Sequence, residues 1–448
     1  MRIGLSLIAL GLAGIVIKHF ELSDPILRAV GVFPATEQDE ILEAHRKSQT
    51  KPDRLPAVAL TEGNSSDWPE YRGRNRDGIV IGPPISRDWK AKPPKQLWKQ
   101  PVGGGFAAFS VAGNVAVTIE QRRDREAVVC YDTETGHERW LHDYQCLFRE
   151  SSGSGPRATP TIAGADVFSM GATGRLVCLD TATGKHKWSV ETLDKNKNLI
   201  WGMAGSPLVL EQLVVVGPGA QVEGGATLVA YERTTGREAW RSGHAQTGYS
   251  SPMLATLAGK SQIVFFDAGS VAGYDPLNGR LLWQFPWPTG QGINVAQPLM
   301  LEGDCIFLSS SYGFGCGLIR IKNEGGEWKA EEIWKNTAMH CKFTSPVFFQ
   351  GHFYGLDEGI LVCVDEKTGK RKWKDGRYGH GQLLLTGDLL LILSDTGQLV
   401  LVEATPAAHH ELAKIPALEG KTWNCPVLVD GRVYVRNETE MACYDLRQ

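Results

Sequence analysis

Apolar residues fall in short runs of strand length, each broken by a polar turn, and the runs recur. The clearest unit is Cys130-Tyr131-Asp132-Thr133-Glu134-Thr135-Gly136-His137-Glu138-Arg139-Trp140. It returns around Cys178, Asp180, Thr183, Gly184 and Trp188, and again around Cys363, Asp365, Thr368, Gly369 and Trp373. Looser copies end at Trp240 and Trp283. A strand ends at the Asp, and the Thr-Gly pair turns the chain, because Gly takes φ > 0 without a Cβ clash. The returning strand carries a Trp, which needs a large apolar slot. Upstream of the copies stands a small or polar residue followed by Pro and an apolar run, as at Thr159-Pro160, Ser206-Pro207, Ser251-Pro252, Gln297-Pro298, Ser345-Pro346 and Cys425-Pro426. A Gly-centred turn and a further apolar strand follow, as in Asp430-Gly431-Arg432-Val433-Tyr434. Four antiparallel strands in about 40–50 residues make a propeller blade.

The Trp positions count the blades. Trp98, Trp140, Trp188, Trp240, Trp283, Trp334 and Trp373 mark outer strands, and Ile415 falls at the next spacing. The first outer strand, Gln96 to Pro101, has no inner strands before it, while the last unit, Cys425 to Asp445, has no outer strand. Pairing Gln96 to Pro101 with Ala442 to Tyr444 predicts an all-β, eight-bladed ring over residues 67–448, closed by an N-terminal strand. Closure removes the exposed edges of a linear array. The seven tryptophans are read as structural, docked between neighbouring blades.

The N-terminus follows another pattern. Met1-Arg2 precedes an apolar run from Ile3 to Ile17, then Lys18 and His19. Residues 1–20 read as a signal peptide or an N-terminal membrane anchor, although the run is short for a span of about 20 residues. Residues 21–66 read as a tether, with one short helix from Glu37 to Lys47 ended before Pro52 and Pro56. The expected location is periplasmic or extracytoplasmic, with membrane contact only through the N-terminus.

Composition narrows the partners. The chain is 42% hydrophobic and 22% charged, as a globular protein is. Lys and Arg number 47 against 50 Asp and Glu, a net charge of −3, which excludes a nucleic-acid backbone as partner. Of nine cysteines, Cys130, Cys178, Cys363 and Cys443 share one repeat position and Cys425 precedes a Pro, so these five read as small buried residues. Cys146, Cys305, Cys316 and Cys341 remain as disulfide candidates that sequence cannot pair.

Asp-x-x-Thr-Gly-x-x-x-Trp at this spacing resembles the tryptophan-docking repeat of the pyrroloquinoline-quinone (PQQ) type propellers. The opening Asp67-Trp68-Pro69-Glu70-Tyr71-Arg72-Gly73-Arg74-Asn75-Arg76-Asp77-Gly78 looks like the segment that introduces many PQQ-binding-like repeat proteins. The resemblance implies the propeller fold and two functional branches. One is the quinoprotein alcohol dehydrogenases, whose calcium-bound quinone implies oxygen ligands, a carboxylate base and often an adjacent cysteine pair. The other is the BamB-type scaffold lipoprotein of outer-membrane β-barrel assembly. This chain has no Cys-Cys pair, no Cys-x-x-Cys-His haem site and no lipid-accepting Cys after the apolar run.

The loops leading into the innermost strands crowd one end of a propeller's channel. The stretches just before the x-Pro signatures hold no Asp or Glu, and they are rich in aromatic and cationic residues. Arg157, Trp201, Tyr249, Asn294, His340, Lys342, His380 and Trp423 are the candidate channel-mouth residues. Such a set suits a small anionic, planar ligand or an acidic partner segment, and supplies no base for alcohol oxidation. The reading favours an exported, non-enzymatic, BamB-like scaffold or binding protein with protein partners in the cell envelope. No catalytic residue, metal or cofactor is expected, PQQ with calcium being disfavoured. The alternatives are a PQQ-dependent dehydrogenase and a ligand-sensing propeller.

Overall fold

The computed structural model describes residues 36–49, 57–60, 66–193, 200–220 and 225–447. The signal or anchor expected over residues 1–20 lies outside the described residues.

Eight antiparallel four-stranded sheets form the ring. Blade 1 is built from Ser110–Ala112, Val115–Arg122, Arg125–Asp132 and Glu138–Gln145, in order from channel to rim. Blades 2 to 7 follow over residues 161–191, 208–242, 253–286, 299–336, 347–377 and 382–416. Blade 8 takes three strands from residues 427–445 and its outer strand from Lys95–Pro101. Lys95–Pro101 runs antiparallel to Glu440–Asp445 with Trp98 opposite Cys443, so the two fragments complete each other as the sequence predicts.

The repeat motif closes turns and joins blades. Asp132 Oδ1 accepts from the amides of Glu134 and Thr135 and from the Thr135 hydroxyl; the Thr of the motif makes the same bonds to Asp180 and Asp365. The outer-strand indole then donates to a carbonyl in the next blade's turn. Trp98 reaches Thr133 O (3.1 Å), Trp140 reaches Thr181 O (2.9 Å) and Trp188 reaches Arg233 O (2.9 Å). Trp334 and Trp373 do likewise with Glu366 O (2.8 Å) and Thr405 O (2.9 Å). The ring lies on the turn glycine: at Gly184 (φ +69°) a Cβ would come 2.5 Å from Trp140 Cε3. Turn geometry and ring contact therefore both demand Gly.

Two positions depart. Trp283 donates within its own blade, to Gln262 Oε1 (2.6 Å). Blade 5 has no Thr-Gly turn to receive it, having instead the long hairpin Gly315–Glu324 and Glu327–Asn336. Trp240 covers Gly279, but its Nε1 finds no partner among the described residues. Trp98, Trp140, Trp188 and Trp283 are buried, whereas Trp240, Trp334 and Trp373 are half-buried. All nine cysteines are free thiols, including Cys146, Cys305, Cys316 and Cys341.

Helix α1 (Glu37–Ser48) lies within the stretch expected to be a tether, and it is docked. Thr36 and Asp39 form a reciprocal capping box, and acidic and basic residues occupy its first and last turns respectively. Leu42 is buried. His45 Nε2 meets Gln100 Oε1 of the closing strand (2.8 Å), and Arg46 pairs with Glu138 of blade 1 (2.7 Å). The helix thus spans the seam where the ring closes.

The opening segment plugs the channel. Trp68 bridges to Val111 of blade 1, and Pro69 O accepts from the Ile162 amide of blade 2 (2.8 Å). Arg76 donates to Ser206 O (3.2 Å), Pro207 O (2.6 Å) and Pro252 O (2.6 Å), and pairs with Glu70 (2.7 Å). Arg72 donates to Pro346 O (2.7 Å) and Asp77 O (2.9 Å). Ile79–Val80 then adds a parallel fifth strand to blade 7, against Leu385 and Thr386. Arg72 and Arg76 are only 1% and 2% exposed. Inner strands leave carbonyls facing the channel, and a guanidinium carries five donors to satisfy several at once. Gly78 (φ +77°) permits this, since a Cβ there would lie 2.3 Å from Arg72 Nη2.

Candidate functional site

Above the plug the channel opens into a cavity of ≈ 300 Å³. Tyr71, from the plug itself, joins Gln382 and Cys425 in its lining. Two kinds of loop build the wall: those leading into innermost strands, and those joining second to third strands.

Aromatic contacts organise the wall. Trp201 meets Tyr249 edge to face at 5.7 Å. Trp423 stacks on Phe106 at 5.4 Å and tilts against Phe343 at 5.1 Å. Lysine ammoniums flank this ledge. Lys421 Nζ lies 4.7 Å from the Trp423 ring centre, and Lys342 Nζ lies 5.4 Å from that of Phe343.

Five of the eight candidate mouth residues line the cavity: Arg157, Trp201, Tyr249, Lys342 and Trp423. His380 stands behind them, against Phe343 (4.9 Å) and Trp423 (5.6 Å). Burial, and then the Lys342 ammonium, hold its imidazole below the usual histidine range, so it is neutral at pH 7. Asn294 and His340 do not line the cavity. Asn294 is fully buried, donating to Asp267 O (2.8 Å) and Trp287 O (3.2 Å) and accepting from Ser310 Oγ (2.7 Å). Both polar atoms of its side chain tie loops, which corrects its assignment to the mouth. His340 is held by Asp357 (2.8 Å), which also receives Lys374 (2.6 Å).

The sequence reading passed over a carboxylate. Glu150 lines the cavity from a two-residue strand, Arg149–Glu150, paired with Gly153–Ser154. This small hairpin lies just upstream of the stretch compared among blades, and no other blade has an equivalent among the described residues. Glu150 pairs with Arg157 at 2.7 Å, both side chains under a tenth exposed. Its other oxygen accepts from the Ser152 amide (2.6 Å) and the Ser151 hydroxyl (3.3 Å). The guanidinium also lies over Phe148 (4.7 Å). Arg157 is therefore compensated, and Lys342, with no salt bridge among the described residues, supplies the uncompensated charge of the wall.

Phe343 and Phe106 were legible in part, and Tyr312 was not. Phe343 follows Lys342 directly, and Phe106 follows three glycines in the loop before blade 1. Tyr312 sits in a turn of the second kind, at φ +60°. Looking only at loops into inner strands hides it.

A calcium-bound quinone would need six to eight oxygen ligands around the ion. Among the described residues no group of three or more His, Cys, Asp or Glu stands together to hold a metal. Glu150, the carboxylate in the cavity lining, is committed to Arg157. The described lining thus offers no cluster of carboxylates to such an ion.

Known proteins frame the geometry. Quinohemoprotein alcohol dehydrogenase ADH IIB of Pseudomonas putida is 32% identical over 118 residues, which is 25% of this chain and 17% of that protein. The chain thus matches less than a fifth of the length of that relative. Outer membrane protein assembly factor BamB of Burkholderia pseudomallei is 22% identical over 319 residues, 68% of this chain and 65% of the relative. BamB from Moraxella catarrhalis superposes with a TM-score of 0.57 at 12% identity, covering 79% of this chain and 97% of that one. Quinohemoprotein alcohol dehydrogenase from Comamonas testosteroni gives 0.61 at 14% identity, covering 92% and 84%. At these identities the superpositions show the fold alone. The family model described as outer membrane protein assembly factor BamB matches residues 145–375, just over half of the 448 residues, and the repeat, the docked tryptophans and the eight closed blades all agree with it: the chain belongs to that family of PQQ-like propellers.

Proposed function

We propose that this chain is an extracytoplasmic binding propeller, held at its N-terminus, that acts without turnover. It takes a flat anionic group, on a small molecule or on an acidic partner segment, into the aromatic mouth. One observation carries this reading: the cavity's carboxylate is spent on Arg157, while Lys342 stands uncompensated beside flat aromatic walls. Such a wall attracts an anion and offers no base to remove a proton from an alcohol. In sequence the BamB relative matches 68% of the chain and dehydrogenase ADH IIB 25%, which supports a scaffold role.

Titration with 2-naphthoate, a planar carboxylate, tests the site through quenching of Trp201 and Trp423. Lys342→Ala is expected to weaken binding about tenfold, the loss of one charge-assisted contact. Wild-type protein given PQQ and calcium is expected to show no dye-linked alcohol oxidation. Turnover that Glu150→Gln abolishes would establish the dehydrogenase instead.

A further inference from the structure

Two cations stand at the ends of the aromatic ledge, and one of them is closed off by the chain itself. Phe106, Trp423 and Phe343 form a row, with successive ring centres 5.4 Å and 5.1 Å apart. Arg157 ends the row over Phe106 (5.3 Å), and Lys342 ends it beside Phe343 (5.4 Å). Lys421 lies over Trp423 (4.7 Å), between them, and pairs with Glu438 (2.9 Å). A flat ligand resting on these rings has a cation beyond each end.

The two ends differ. Glu150 Oε1 accepts from Arg157 Nη2 (2.7 Å), and both side chains line the cavity while under a tenth exposed. The guanidinium also donates to Gly153 O (3.2 Å) and Gly155 O. The hairpin that carries Glu150 is fastened to blade 8. Its Ser154 amide donates to Glu438 Oε1 (3.2 Å), and Lys421 Nζ donates to Ser152 O. Glu150 is therefore fixed from two directions, by Arg157 and by its own anchored hairpin.

An anion arriving at this end does not win Arg157 by exchange, because the displaced carboxylate would stay buried without a partner. Nor does it settle beside the pair, where it would lose its water with no free cation to meet it. At the other end neither obstacle exists. The Lys342 ammonium, unpaired with any carboxylate among the described residues, faces the rings of Phe343 and Tyr312 (5.8 Å).

We infer that Glu150 is a built-in counter-ion that reserves Arg157 and so selects planar ligands bearing a single negative charge. The charge sits at the Lys342 end of the ledge, and an uncharged edge faces Arg157. The inference deepens the anion-binding reading of the mouth and rests on it.

Calorimetric titration of the full chain with two planar acids tests it. One is 2-naphthoate. The other is the naphthalene diacid that carries a second carboxylate at the opposite end of the ring system. Wild-type protein is expected to prefer the monoacid about tenfold, since the second carboxylate finds no partner. Glu150→Gln keeps the shape and frees the guanidinium, so the preference is expected to vanish or reverse. Glu150→Gln combined with Arg157→Gln strands no charge and offers no second cation, so the preference for the monoacid is expected to return. Equal affinity of wild type for the two acids, or an undiminished preference in Glu150→Gln, overturns the inference. So does a lost preference in the double variant, which keeps the test decisive even where Glu150→Gln alone does not fold. If wild type binds neither acid, the anion-binding reading itself fails, and the inference with it.

Discussion

Arg76→Ala is expected to lower the unfolding free energy by about 3–5 kcal/mol, the cost of stranding one partner of a buried ion pair. Arg76 is 2% exposed and stands between Glu70 and the carbonyls of blades 3 and 4. Burial alone pushes the Glu70 carboxyl up, and the Arg76 guanidinium opposes that push. The truncation removes the opposing charge and leaves Ser206 O and Pro252 O short of a donor, at about 1–3 kcal/mol for each group left unsatisfied. Arg76→Lys keeps a charge but not the planar fork, so it is expected to fall between wild type and Ala. Urea denaturation followed by tryptophan fluorescence measures the order. A midpoint for Arg76→Ala equal to wild type would show the plug to be dispensable.

The second large effect concerns closure. Protein lacking residues 1–60 is expected to unfold cooperatively with a modest loss, since helix α1 gives up mainly surface ion pairs such as Arg123 with Glu43. Protein lacking residues 1–101 is expected to have no cooperative transition. It loses the plug with Arg72 and Arg76, loses Lys95–Pro101 from blade 8 and bares the edge of Glu440–Asp445. It also loses Trp98 from the largest core cluster, which joins blades 7, 8 and 1. Calorimetry separates the two, and matching transitions would refute a closing role for the strand.

The ring was legible because its signals are local and repeated. Asp, Thr, Gly and Trp lie within eleven residues, and each copy reports the same turn and docking site. The closing strand was legible for a related reason: two incomplete units have only one way to complete each other. The plug was not. Arg76 reaches Pro207 and Pro252 across 131 and 176 positions, and no local pattern announces a carbonyl that waits that far away. The mouth fell between these cases. Loop equivalence brought Arg157, Trp201, Tyr249, Lys342 and Trp423 to one cavity. It misplaced Asn294, because equivalent backbone position does not fix whether a side chain turns to the channel or into the loop. It missed Glu150, because an inserted hairpin has no counterpart in the repeat.

The strand that closes the ring has a consequence for how the protein is made. Lys95–Pro101 emerges from the ribosome long before its partner Glu440–Asp445, with seven whole blades synthesised between them. No partial chain can complete the circle, and contacts of such sequence separation form slowly. The segment that fills the channel is present before any blade exists. It touches blades 1 to 4, 6 and 7, all of which precede blade 8 in the chain, and meets blade 8 where Tyr71 bonds Cys425. Blades can therefore gather around it in order, as beads collect on a core, and the last strand locks an assembly whose centre is already filled. A version of the chain permuted to begin within blade 4 would have to thread that centre late.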